Sequence, residues 1–144
     1  MNADYFLDTN VLVYSFDNNA PARRDTARKL IAAALRRGNG FVSWQVVQEF
    51  LNVAMHKWEK PMSVGDANEY LGGTLEPLCA VFPSSTLWRS ALSIQAQSQY
   101  HFYDSLIVAS ALQCGAKILY SEDLQTGRRF GDLEIRNPFA GNGS

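Results

Sequence analysis

Residues 102–123, FYDSLIVASALQCGAKILYSED, decide the fold class. The stretch SLIVASAL is apolar nearly all round, the pattern of a helix buried between neighbours rather than one lying on a surface. Gly115 marks its end, and KILYS follows at once as a short strand. A buried helix feeding straight into a strand is half of a parallel crossover unit. Two acids bracket it: Asp104 where the helix opens and Asp123 just past the strand. Neither belongs to the apolar pattern around it.

Working outward, the same alternation recurs along the chain. YFL at 5–7 reads as a first strand, and a helix over about 23–37 is signalled by Pro21 near its start, ARKLIAAALRR in its body and Gly38 beyond it. GFVSW reads as a second strand, with Ser43 as N-cap of a helix running to about Glu59 and stopped before Pro61. SVGDANEYLGG predicts a shorter helix ending on a glycine pair, CAVFP a third strand, and STLWRSALSIQAQSQ a helix capped by Ser85 or Thr86. After EDLQTGRRFGD, LEI is the last strand. The expectation is an α/β fold: a single domain over 1–139, three-layer α/β/α, with a parallel sheet of about five strands and a disordered tail at 140–144. Right-handed crossovers would put helices on both faces of the sheet and a ligand crevice beyond the carboxyl ends of its strands.

Composition narrows the partners. With 144 residues and 47% hydrophobic content, the chain is large enough for one good core and too small for two. A net charge of -1 denies it the strongly basic signature of many nucleic-acid binders, although clustered acids with a local basic rim still suit a metal-dependent nuclease. Cys79 and Cys114 lack metal-ligand spacing and read as reduced thiols. No run approaches the roughly 20 apolar residues of a membrane span, and MNAD lacks a basic leader region, so a cytoplasmic protein is expected.

The acids carry the chemistry. Asp8 follows the first strand, Glu49 lies in the first turns of the helix after the second, Asp104 opens the buried helix, and Asp123 follows KILYS. Each has an ordinary alternative: a turn or helix cap for Asp8, a solvated helix position for Glu49, a favourable place at a helix N-terminus for Asp104, the N-cap of a short helix for Asp123. Together, carboxylates converging on one sheet edge repel one another and raise each other's pKa unless a cation sits among them. Oxygen-only donors with no Cys or His partner favour Mg²⁺ or Mn²⁺ over zinc, which points to phosphodiester chemistry.

FLDTNVLVYSFD, VSWQVVQEFLNV, YDSLIVASALQCGAKILYSEDL and the closing NPF occur in an order and spacing that resembles the PIN domain, specifically the VapC toxin ribonucleases of bacterial type II toxin-antitoxin systems. The resemblance covers nearly the whole chain, with only pattern agreement over 61–99. It implies that Asp8, Glu49, Asp104 and Asp123 form an acidic quartet holding one or two Mg²⁺ or Mn²⁺ ions, with Glu122 the fallback for Asp123. It further implies that Thr9 and Asn10 orient Asp8 or satisfy its turn, and that Ser121 takes the hydroxyl position ahead of the last acid. The activity implied is hydrolysis of RNA to 5'-phosphate and 3'-hydroxyl ends, on structured targets such as tRNA or ribosomal RNA. The partners implied are a second copy of the chain, as a homodimer, and a small antitoxin whose tail covers the cleft.

Candidate RNA contacts are Arg23 and Arg24, Lys57 and Lys60, and Arg128 and Arg129, each of which has solvated surface charge as its ordinary reading. Trp44, Trp58 and Trp88 are aromatic enough to stack on bases but at helical spacing with aliphatics read as core. Two rival readings are weaker. A metal-dependent phosphatase needs D-x-D after the first strand, where this chain has Asn10; a non-catalytic PIN-like or receiver-like metal- or RNA-binding module would usually have lost an acid, and all four are present.

Overall fold

The computed structural model describes residues 3–140. The tail expected at 140–144 therefore lies, apart from Ala140, outside the described residues. The sheet is built around β1 (Tyr5–Leu7), which pairs in parallel with β2 (Gly40–Ser43) on one side and β4 (Ile118–Tyr120) on the other. Phe6 stands opposite both Phe41 and Leu119. β3 (Cys79–Val81) extends the sheet beyond β2, and β6 (Leu133–Arg136) extends it beyond β4, both in parallel. Phe6, Leu7, Val42, Leu119 and Ile135 are fully buried, which is why these strands read as unbroken apolar runs rather than alternating ones.

Among the described residues the sheet has six strands rather than about five, in the order β3-β2-β1-β4-β6-β5. The additional one, β5 (Arg129–Phe130), is antiparallel to β6 and returns through a tight turn in which Gly131 takes φ 60°. The Gly-Asp pair between Phe130 and Leu133 is a hairpin signal that the sequence reading absorbed into a loop.

Helices connect the strands. α1 (Thr9–Tyr14), absent from the expectation, begins at once after Asp8, and its Val11 and Leu12 are fully buried. VLVY has strand-like composition, so local propensity pointed away from the helix that burial and capping impose. α2 (Pro21–Arg37) starts on the expected proline and closes on Gly38 at φ 67°. Ser43 caps α3 (Trp44–His56), accepting from the Val46 N–H at 3.4 Å; that helix ends before the expected Glu59. After α4 (Val64–Tyr70) the glycine pair does not stop the chain, which winds on through a π turn at Leu71–Leu75 into the short α5 (Glu76–Leu78). α6 (Ser85–Ser98) is capped by Ser84, which accepts from Leu87 N–H at 3.0 Å, one residue before the expected caps. α7 (Phe102–Gln113) packs against α6, and its residues 105–111 are all buried.

The chain runs from β1 outward through β2 to β3, then crosses back to lay β4 on the other flank of β1. With right-handed crossovers this puts helices on both faces and makes the space beyond the carboxyl ends of β1 and β4 the topological switch point. Among the described residues no helix is long and apolar enough to cross a membrane. Both cysteines are free thiols, Cys114 buried and Cys79 half-buried.

Candidate active site

Asp8 ends β1 and caps α1, accepting the Thr9 N–H on Oδ1 at 2.7 Å. Its Oδ2 accepts the Ser121 hydroxyl at 2.7 Å, and its own N–H donates to the Tyr120 carbonyl at 3.0 Å, extending the β1–β4 ladder. Only 8% of Asp8 is exposed. Burial pushes its carboxyl up to about 7 against the pull of the Ser121 and Thr9 hydrogen bonds, and the charges of Glu49 and Asp123 push it the same way.

Glu49 sits on α3, where Ser43 fixes the start of the helix. Its Oε1 accepts the Thr9 hydroxyl at 2.8 Å, and Gln45, one turn earlier, donates to its Oε2 at 3.4 Å. The same Gln45 amide donates to the Tyr103 carbonyl at 3.1 Å, linking α3 to the start of α7. Asp104 lies in the first turn of α7, half-buried; burial raises its pKa, His101 opposes the rise, and Asp123 adds to it.

Asp123 lies in the loop after β4. Asn10 donates to its Oδ2 at 3.1 Å, and its backbone N–H donates to Ser121 Oγ at 3.2 Å. Ser121 is the hub of this loop. Fully buried, it gives its only proton to Asp8 and accepts from the N–H groups of Asp123 and Leu124. No short helix starts at Asp123, so the N-cap alternative for that residue falls away. The side chains expected to orient Asp8 divide their work: the Thr9 hydroxyl turns to Glu49, and Asn10 to Asp123.

All four acids line one cavity of about 510 Å³, together with Thr9, Asn10, Tyr14, Gln45, Lys57 and Glu122. Among the described residues no three His, Cys, Asp or Glu side chains are gathered closely enough to cage an ion as they stand. The donor set nonetheless fits a hard divalent cation. It is all oxygen, two of its carboxyls are raised in part by neighbouring acids, and each Asp8 oxygen keeps a lone pair beyond the one its hydrogen bond uses.

The basic candidates separate clearly. Lys57 lines the acidic cavity and, among the described residues, makes no side-chain hydrogen bond or ion pair. Lys60 lines a different hollow beside Phe16 and Trp58. Arg23 is ion-paired with Glu122, Arg24 with Asp25 and Arg129 with Glu134. Arg128 stacks on the Tyr100 and Phe130 rings, 5.2 and 5.1 Å from their centroids. Trp58 packs with Phe16 and Phe50 as core, whereas Trp44 and Trp88 are about half exposed, at 45% and 50%. Gln45 escaped the sequence reading, although its i to i+4 spacing from Glu49 on one helix was a usable signal.

A parallel α/β sheet with carboxylates converging at its switch point defines the class of this protein. The chain belongs to the PIN domain family, whose model matches residues 5–129. Its fold is similar to two solved structures. One is described as VapBC2 from Rickettsia felis bound to a DNA fragment from their promoter, with 18% identity, coverage of 92% of this chain and 97% of that one, and a TM-score of 0.63. The other is FitAB bound to an IR36 DNA fragment, with 19% identity, coverage of 94% and 95%, and a TM-score of 0.66. No curated protein sequence matches the chain. PIN domains are in general nucleases that use divalent metals.

Proposed function

We propose that the protein is a Mg²⁺- or Mn²⁺-dependent endoribonuclease and the toxin of a VapBC-type pair. The observation that carries this reading is the meeting of Asp8, Glu49, Asp104 and Asp123, drawn from four separate stretches of chain, in one cavity at the sheet's switch point. The fold likeness to a chain of a VapBC complex and a chain of FitAB supports an antitoxin as partner.

Asp8, Asp104 and Asp123 would hold the cation, and Glu49 would complete the set or orient the attacking water. A bound divalent ion would supply an acidified water, offset charge building on the phosphoryl oxygens and stabilise the leaving oxygen. The chain's own residues do the rest. Ser121 fixes the face that Asp8 presents, Thr9 and Gln45 fix Glu49 from opposite oxygens, and Asn10 fixes Asp123. Lys57 is placed to meet a substrate phosphate at the cavity wall. The products would carry 5'-phosphate and 3'-hydroxyl ends, and the active form would be a cytoplasmic homodimer held in check by a small antitoxin over the cleft.

The test is cleavage of RNA by purified protein with Mg²⁺ or Mn²⁺, beside Asp8→Asn, Asp104→Asn and a chelated control. Cleavage that vanishes in all three controls supports the reading. Cleavage that survives them places the chemistry elsewhere.

A further inference from the structure

Glu122 stands next to Asp123 and lines the same cavity, yet its carboxylate is spoken for. The Tyr14 hydroxyl donates to Oε1 at 2.9 Å, and Arg23 pairs with Oε2. Arg23 also donates to the Tyr14 hydroxyl at 2.8 Å, and its guanidinium lies over the Tyr14 and Phe139 rings, 5.1 and 5.7 Å from their centroids. Those two rings meet edge to face at 4.9 Å. Four elements therefore close on one point: the end of α1, the start of α2, the loop after β4 and the segment carrying Phe139. From there the path to the acids is short. The Glu122 N–H donates to Asn10 Oδ1 at 3.3 Å, and the amide of Asn10 holds Asp123.

We propose that Arg23 is a positioning residue, which holds Glu122 against Tyr14 so that Asp123 is the acid of this adjacent pair that faces Asp8, Glu49 and Asp104. The inference rests on the metallonuclease reading and deepens it. Two consecutive acids in a loop compete for one cation, and an uncompensated Glu122 would add a fifth carboxylate to the cavity that the four acids already line. Arginine suits the task because its fork stays charged, bonds carboxylate and hydroxyl together and stacks on rings; lysine offers a point charge without the stack. This is a different role from the RNA contact expected of Arg23 from the sequence.

The experiment compares full-length wild type, Arg23→Ala, Arg23→Lys, Glu122→Gln and the double variant Arg23→Ala/Glu122→Gln in two readouts: Mn²⁺ binding by calorimetry, and kcat and KM for RNA cleavage. Arg23→Ala is expected to weaken Mn²⁺ binding and lower kcat about tenfold, the scale of losing a group that orients a ligand. The double variant is expected to recover most of both, since it removes the carboxylate that Arg23 restrained, and Arg23→Lys to fall between. A double variant no better than Arg23→Ala overturns the proposal in favour of a purely structural role. A raised, salt-dependent KM with unchanged Mn²⁺ binding overturns it in favour of an RNA contact. Wild type that neither binds Mn²⁺ nor cuts RNA instead removes the metallonuclease reading itself, so the two failures are distinct.

Discussion

The Ser121 hydroxyl donates to Asp8 Oδ2 at 2.7 Å across 113 positions of chain, and so ties the ends of the two central strands together at the carboxylate. The same oxygen accepts two backbone N–H groups of its own loop. Ser121→Ala removes a donor to a buried carboxylate and strands two N–H donors at once. It should cost about 1–3 kcal/mol in urea unfolding and about 10–100-fold in RNA cleavage. Ser121→Thr, which keeps the hydroxyl, should retain most of both.

Asp8 makes the metal-free fold sensitive to pH. Its pKa is raised to about 7, against roughly 3.9 for an unfolded aspartate, so between those values the folded form binds the extra proton. Its contribution is fully present below about pH 4 and lost as pH rises through 7, a swing on the order of 4 kcal/mol. In chelator, Asp8→Asn should match wild type near pH 4 and exceed it in melting temperature above pH 8, while failing to cut RNA. Adding Mn²⁺ at pH 8 should raise the melting temperature of wild type far more than that of the variant.

Thr9 holds Glu49 Oε1 through its hydroxyl, so Thr9→Val should release that oxygen, with Gln45 alone left on Oε2, while leaving α1 in place. The expected result is a kcat lower by about tenfold with little change in KM, and restoration in Thr9→Ser. A loss confined to KM would place Glu49 in substrate binding instead.

Lys57 lines the acidic cavity without a partner among the described residues, whereas Arg24 and Arg129 are already paired with acids. Lys57→Ala should raise KM several-fold and reduce the salt dependence of RNA binding by about one counterion. Its effect should exceed that of Arg24→Ala or Arg129→Ala in the same titration.

Gly40 tests the packing behind the site. A Cβ added there would stand 2.7 Å from the Tyr5 ring carbon Cζ and 2.8 Å from Ala34 Cβ, closer than real methyl contacts come. Gly40→Ala should therefore lower the melting temperature, at a cost of about 1–3 kcal/mol from overpacking between β1 and α2.

The α7–β4 unit was legible because its residues are buried on every side, and apolar composition alone reports that. Asp8, Asp104 and Asp123 stood out in the sequence for the opposite reason, since each breaks an apolar pattern at a strand or helix end, whereas Glu49 lies within α3 and shared its cavity with them only once the chain was folded. α1 was not, because VLVY carries β-branched side chains whose local preference is overruled by the Asp8 cap and the burial of Val11 and Leu12. The Glu122 pairing was equally hidden: its partners come from positions 14 and 23, and only the folded chain makes them neighbours. Exposure of Trp44 and Trp88 ran against helical spacing, which gives the direction of a face but not whether anything covers it.

The burial of α7 ties the timing of the site to that of the whole fold. A helix enclosed along residues 105–111 should exchange its amide protons only when the domain opens cooperatively, which would tie the placing of Asp104, one residue ahead of that stretch, to the completion of the core. Under the proposed function, a folded copy would then be silenced by covering the cleft rather than by local melting of the site.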